Sequence, residues 1–469
     1  MSSRLPWTKF QDFYLRLGFL ETLVAALSHE RRSATNDAVI RRLERPLFDS
    51  VVAYPTLRQQ TAELFATAYP RKTSSGKRIE APEVAEALAG ISTGNSALYG
   101  ITRETAYKIV DWAHDVGFAG QANQISERAL VLRSLLPREP VERFLAGDVS
   151  AWNPFQLDLR ARLFFTFHLI ETDLLTVELV RDLGALPAGT VLEARGAAQM
   201  TCAALLRILQ ATENRLDARD IPAHRTAVEL AITMADEVEA PLPPEWGIRA
   251  QQARTLHSIK TASRRNIRAQ LSGKPPRKTT KNADHQTIPR FEQLVDLGFL
   301  SKPDIDPSDP VKSLAARRRW RYVPTEACRR WARAANDFNQ ESVRFQWATF
   351  AKVAVEAFHG HSVQSRGTIP PNVIGERLWH AYVAVGRPVG MTPADSVALR
   401  ATIDAVADGL AIELCDFHNF LLKIKEHNIF TDSVFFGSGN ALDAMFIRLK
   451  PRFLTDLSTS SALSSEFAR

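Results

Sequence analysis

The sequence predicts a mainly α, multidomain helical protein, and three observations carry that expectation. Apolar residues recur at helical spacing along most of the chain. Strand-like alternation is confined to short pieces. The chain has 469 residues, 45% of them hydrophobic, enough for roughly three domains. That apolar fraction excludes a mostly disordered chain.

Taken in order, Phe10, Phe13, Leu17 and Phe19 to Leu27 share a helical apolar face. Residues 29–48 continue as a basic amphipathic helix, with Arg31, Arg32, Arg41, Arg42 and Arg45 around Val39, Ile40 and Leu43. Tyr69 to Arg78 is a turn-rich break. A helix over Pro82–Ala89 has its proline in the first turn, where helices tolerate it. A turn through Ser92-Thr93-Gly94-Asn95 leads to a second helix, Thr102–His114, which stops at Val116-Gly117-Phe118. A short strand is expected at Ala129–Arg133. Residues 155–181 read as one long apolar helix, followed by helices near 190–212 and 223–239 with no strand between them.

The Pro-Leu-Pro-Pro run at 241–244 reads as a hinge, and 270–289 is polar and basic, with the composition of a linker. A helix Gln293–Leu297 stops at Gly298-Phe299-Leu300. A polar loop over 301–315 then leads to an extended piece, Trp320–Thr325. Further helices fit 336–358, 372–384 and 393–427, and the Ser-rich tail after Leu457 is expected to fray. Phe345, Trp347, Phe350, Phe358, Trp379, Tyr382, Phe417 and Phe420 fall mostly in pairs three apart among Ala, Val and Leu, the pattern of a helical core.

Several function classes are excluded. Three well-separated cysteines, Cys202, Cys328 and Cys415, do not make a disulfide scaffold and suit a reducing cytoplasm. No apolar run approaches the roughly 20 residues of a membrane span, and Met1 to Trp7 lacks the apolar core of a secretory signal. A cytoplasmic location is expected, and the Ala- and Arg-rich composition suggests a bacterial origin. There is no phosphate-binding GxxxxGK[ST] loop, HExxH, GxSxG or CxxC, so no enzymatic reaction and no cofactor is expected. Asp304, Asp306 and Asp309 sit in a proline-rich loop, where turn formation explains them better than metal-dependent cleavage. His359, His361, Cys415 and His418 are the residue types of a tetrahedral zinc site, but their spacing is looser than zinc ligands usually show, so no metal is assigned.

Charge is informative through its placement. Between Arg249 and Arg333 there are 20 Lys/Arg against 7 Asp/Glu, while the whole chain is only +7, so the remainder carries −6. A concentrated positive segment suits a polyanion, because neutralising phosphates releases condensed counterions.

A helix that stops at Gly-Phe, a strand, a loose loop and a returning strand together resemble the winged helix-turn-helix arrangement of DNA-binding proteins. The pattern occurs near residue 100 and again near residue 290. The glycine takes the left-handed conformation that ends the helix, and the phenylalanine turns inward. The resemblance implies one or two winged modules carrying short β-wings. The organisation expected is a helical region over 1–78, a winged module over 79–140, a helical domain over 141–243, a basic winged module over 244–335, a helical domain over 336–455 and a tail over 456–469.

Within that frame Arg317, Arg318, Arg319 and Arg321 fall on the returning edge of the wing, where guanidinium groups can follow phosphates or enter a minor groove. Lys260, Arg264, Arg265 and Arg268 recur at helical spacing upstream, with Lys274, Arg277 and Lys278 after them. Arg290 opens the expected recognition helix, and Arg103 and Lys108 are the matching residues of the first module. The expected function is non-enzymatic binding of duplex DNA, as a transcriptional regulator or as the DNA-recognition subunit of a bacterial defence or mobile-element complex. The alternative is a helical scaffold subunit whose basic region meets an acidic protein or RNA.

Overall fold

The computed structural model describes residues 16–28, 39, 103–120, 123–146, 148, 151–154, 156–213, 221–255, 282–303, 320–338, 349–360, 369–386, 391–437 and 445–459, and over them the chain is mainly helical. Among the described residues no helix is long and apolar enough to cross a membrane.

The first layer comprises α1 (Gly18–Ser28), α2 (Arg103–Asp115), α3 (Glu127–Leu135) and α4 (Arg138–Leu145), with α1 packed on α2 and α3. Gly117 ends α2 at φ +78°. Phe118 then turns inward, its ring 4.5 Å from His168 and 5.9 Å from Phe164. The strand expected at 129–133 is a helix instead. Ser126 Oγ accepts the Ala129 amide at 3.1 Å, a helix N-cap with Glu127 in the first turn. Extended pairing here is limited to one bridge, Ala119 to Ile125. The helix expected at Pro82–Ala89 and the basic helix at 29–48, Val39 excepted, lie outside the described residues.

The long helix expected over 155–181 is two, α5 (Leu159–Thr172) and α6 (Leu174–Gly184). Asp173 interrupts them at φ −137°, ψ 82°, and its carboxylate accepts the amides of Leu175 and Thr176. An aspartate that caps a new helix offers the backbone an alternative to continuing the old one.

A mixed unit follows. It runs α6, β1 (Leu192–Glu193), α7 (Ala194–Glu213), α8 (Ile221–Val238), α9 (Asn282–Asp296), β2 (Leu300–Ser301), β3 (Arg321–Pro324) and α10 (Glu326–Phe338). The three strands are antiparallel in the order β1-β3-β2, with Leu192 opposite Tyr322 and Leu300 opposite Pro324. The sheet therefore joins both sides of the proline run at 241–244. Two expectations change here. Residues 282–289, expected as linker, are the first two turns of α9, with Pro289 inside the helix. Residues 192–193, expected inside a helix beginning near 190, supply β1.

After α11 (Phe350–His359) the order is nearly repeated by α12 (Pro371–Val385), β4 (Thr392–Pro393), α13 (Ala394–Ala407), α14 (Leu414–Glu426), β5 (Val434–Phe436), β6 (Phe446–Leu449) and α15 (Arg452–Thr459). Its sheet has the order β4-β6-β5, the same sequence of first, third and second strand. The helix expected over 393–427 is thus divided between α13 and α14. Gly409 (φ +80°) follows the end of α13, and Glu413 and Asp416 form a capping box on α14.

The two units share one continuous core. Phe167 of α5 meets Phe350 of α11 edge-on at 5.1 Å, and α13 packs against α3, α5 and α11. Phe350, Phe417 and Phe420 are fully buried, as the aromatic spacing predicts.

Candidate nucleic-acid interface

The expected wing begins at α9. Gly298 closes that helix at φ +80°. The Phe299 amide donates back to the Leu294 carbonyl at 3.0 Å, the long bond of a glycine-terminated helix. The Phe299 ring turns inward against Trp331 (5.4 Å) and Phe358 (5.5 Å). β2 and β3 then close the base of the segment between them, with Ser301 opposite Val323.

At this base the polar side chains serve the fold. Lys302 Nζ lies 2.5 Å from Glu292 Oε1, with both side chains buried, and over the rings of Trp320 and Tyr322. The Tyr322 hydroxyl donates to the same carboxylate oxygen at 2.8 Å. Burial, reinforced by Glu292, pushes the Tyr322 phenol well above its usual range.

Arg290 does not reach a surface. Its side chain is fully buried, with Nε 3.1 Å from Asp173 Oδ2 and Nη1 donating to the Gln286 carbonyl at 2.7 Å. The helix bearing it is enclosed on nearly every side, from Ala283 through Gln286, Phe291 and Gln293 to Asp296. The expectation that α9 is a recognition helix is therefore corrected, because a helix covered by α7, α8 and β2 has no face to lay in a groove. Arg321, expected on the wing edge, is half-buried inside β3 opposite Glu193.

Lys260, Arg264, Arg265, Arg268, Lys274, Arg277, Lys278, Arg317, Arg318 and Arg319 lie outside the described residues. Arg103 and Lys108 lie in α2, and only its backbone is described there. The described cations of the basic stretch are largely compensated internally. Arg249 pairs with Glu213, and Arg254 with Asp236 at 2.6 Å. Arg329 and Arg333 share Glu326 at 2.9 and 3.2 Å. By sequence, residues 256–281 hold eight Lys/Arg and no Asp/Glu. The described residues fix both ends of that segment beside α8, where Glu237 accepts the Asn282 and Ala283 amides at 3.0 and 2.8 Å.

The second unit, which helical spacing alone presents as plain helix, has a more open third helix. In α14, Leu414, Phe417, Phe420, Leu421 and Ile424 are buried, while Asn419 and Glu426 are exposed. Outward from its sheet point Phe435, Phe446, Arg448 and Lys450, alternating with buried Val434, Ile447 and Leu449. The signal for this hairpin is present in the sequence. Gly437-Ser438-Gly439-Asn440 has the composition of a turn and lies in sequence between Val434-Phe435-Phe436 and Met445-Phe446-Ile447-Arg448-Leu449.

The zinc-type residues do not converge where they are described. His359 Nε2 sits 2.7 Å from the Val406 carbonyl oxygen, Cys415 is half-buried in the first turn of α14, and His361 lies outside the described residues. Among the described residues no three His, Cys, Asp or Glu group around a common point. Comparison with protein-family models, curated proteins and solved structures finds no match to this chain.

Proposed function

We propose that the chain is a non-enzymatic, duplex-DNA-binding protein built on two winged helix-turn-helix modules, the one expected around α9 and, in place of the one expected over 79–140, the unit from α12 to β6. The observation that carries this reading is the repeated sheet. Both units place a strand between helices and then a two-stranded hairpin, with strand orders β1-β3-β2 and β4-β6-β5. The first module holds residues 256–281, with eight Lys/Arg and no Asp/Glu, ahead of α9, and the run Arg317-Arg318-Arg319 in the sequence between β2 and β3. The second offers a partly exposed third helix beside its hairpin. A fold of this kind does not fix a partner, and the charge distribution supplies the choice of a polyanion.

The test is a salt titration of binding to a short duplex. Logarithmic affinity should fall linearly with the logarithm of salt concentration. Changing Arg317, Arg318 and Arg319 together to Ala should reduce the slope by about 3, roughly one for each phosphate no longer neutralised. Salt-independent binding, or a slope unchanged by that substitution, would overturn the reading.

A second reading has one observation in its favour. The internal pairing of Arg249, Arg254, Arg290, Lys302, Arg329 and Arg333 suits a helical scaffold subunit whose remaining cations meet an acidic protein or RNA. The same titration separates the two, since a scaffold shows no preference for duplex over an acidic polypeptide.

A further inference from the structure

A hairpin packed on a core from one side normally shows polar residues on the other. The β5–β6 hairpin does so only in part. Its buried face is ordinary, with Val434, Ile447 and Leu449 in the core. Its outward face consists of two phenylalanines and two cations. Phe435 and Phe446 are each 37% exposed. Phe435 stands directly opposite Arg448 across the ladder, and Lys450 Nζ lies over the Phe435 ring at 4.6 Å. Phe446 is two residues from Arg448 on the same strand and so on the same face. Phe435 and Phe446 are therefore diagonal neighbours, within the roughly 7–8 Å over which large cross-strand side chains act together.

Charge on this face is one-sided. Arg448 and Lys450 make no ion pair with a carboxylate among the described residues. The nearby Arg452 differs, since it is held by Asp456 at 3.1 Å and faces Asp432 at 3.9 Å. Binding to phosphates alone would need only the cations. Two partly exposed rings, one with Lys450 over it, beside two cations without a carboxylate partner match the chemistry of unpaired bases on their own backbone, the bases stacking on the rings as the mobile lysine moves to a phosphate.

We infer that the outward face of the β5–β6 hairpin is a stacking platform for unpaired nucleotides, so that the DNA bound by this protein includes a single-stranded stretch beside the duplex. This deepens the DNA-binding reading and rests on it. Geometry favours the second unit over the first for this role. In the first sheet the register positions of Phe435, Phe446 and Arg448 are held by Ser301, Arg321 and Val323, none of them aromatic, while Tyr322 matches the inward Ile447 and is buried against Glu292.

The experiment uses the full chain and two probes, an oligo-dT of about 30 nucleotides, several times a minimal single-strand site, and a duplex of the same length. Both are titrated against wild type, Phe435→Ala/Phe446→Ala, Arg448→Gln/Lys450→Gln and Phe435→Trp. All four positions are on the solvent side, and unchanged thermal unfolding verifies the fold. Removing both rings is expected to weaken oligo-dT binding at least about 10-fold and duplex binding less than about 2-fold. Phe435→Trp should bind oligo-dT at least as well as wild type, with indole fluorescence quenched. The cation pair should lower the salt slope on oligo-dT by about 1.4, two phosphates at roughly 0.7 each. Equal loss on both probes, or no loss on oligo-dT, overturns the platform. Failure of wild type to bind oligo-dT also overturns it, with the duplex-binding reading standing or falling separately on the duplex titration. Displacement of oligo-dT by polyglutamate that ignores the two rings reduces the face to a plain cationic patch and overturns it as well.

Discussion

The Arg290 guanidinium lies 3.1 Å from the Asp173 carboxylate, with both side chains wholly buried. Three elements meet in that pair. Asp173 ends α5 and caps α6, while Arg290 draws the middle of α9 against that junction. Burial pulls the guanidinium below its usual value, and Asp173 opposes the shift. A buried charge left without its partner is severely penalised, so Arg290→Met should lower stability by about 3–5 kcal/mol, read as a fall in urea midpoint. Arg290→Lys should recover only part of that loss, because one ammonium does not reproduce the fork that reaches both Asp173 and the Gln286 carbonyl. A variant still folded at low temperature should show an unchanged salt slope for DNA. A reduced slope would return Arg290 to the interface.

That pair also explains what the sequence could and could not disclose. The Gly117-Phe118 and Gly298-Phe299 helix ends are legible because a left-handed glycine is a local requirement, and both take φ near +80°. The break at Asp173 is not, since its partner is 117 residues away and the apolar pattern runs straight through it. β1 and β4 are two residues each, too short to carry any period. Arg290 looks like a DNA-binding residue when its charge is considered without its surroundings. The buried face of α9 shows Gln286, Glu292, Gln293 and Asp296, polar residues that a helical-spacing argument assigns to water. The hairpin at 434–449 has its alternation in plain view but lies inside a region dominated by helical signals.

Two buried titratable groups set opposite pH trends. His168 lies beside Phe118 and Phe164 with neither ring nitrogen hydrogen-bonded among the described residues. Burial, with help from Arg128, pushes its imidazole down to about 3 from 6.5. The unfolded ring therefore binds the proton first. Its contribution to stability is complete above pH 6.5 and declines toward about 3 by at most about 1.4 kcal/mol per pH unit. Glu21 behaves oppositely, raised well above 4.5 by burial and then by Asp158 and Asp296. Its folded carboxyl keeps a proton the unfolded chain has released, so its contribution is present below pH 4.5 and is lost as pH rises. Glu21→Gln should raise the urea midpoint near about pH 8, and His168→Leu should flatten the acid limb between about pH 6 and 4. A wild-type acid limb retained in His168→Leu would assign that limb to other groups.

Glu413 joins the start of α14 to that of α11. Its carboxylate accepts the Ala351 and Lys352 amides at 2.9 and 3.0 Å, and it caps α14 through the box with Asp416. Glu413→Ala leaves buried helix amides without an acceptor and should lower stability by about 2–4 kcal/mol. Glu413→Gln retains one oxygen acceptor and should lose less. Hydrogen exchange checks the location, with protection expected to fall first at the N-terminal turns of α11 and α14. Uniform loss across the chain would mean that Glu413 acts on global stability alone.

The β2–β3 base, where the proposal places a wing, offers the most direct separation of fold from binding. Lys302 and Tyr322 both converge on Glu292 Oε1, at 2.5 and 2.8 Å, so removing Lys302 leaves a buried carboxylate with a single neutral donor. Lys302→Met should therefore lower stability by about 3–5 kcal/mol, whereas Lys302→Met combined with Glu292→Met should recover most of it, since an apolar pair can replace a buried ion pair at little cost. A double-mutant cycle on urea midpoints measures the coupling. The double variant should also keep the wild-type salt slope for duplex DNA, because Lys302 is committed to the protein interior. If stability recovers while the slope drops by about 1, then Lys302 leaves Glu292 for a phosphate when DNA arrives, and the wing base is part of the binding surface rather than its support.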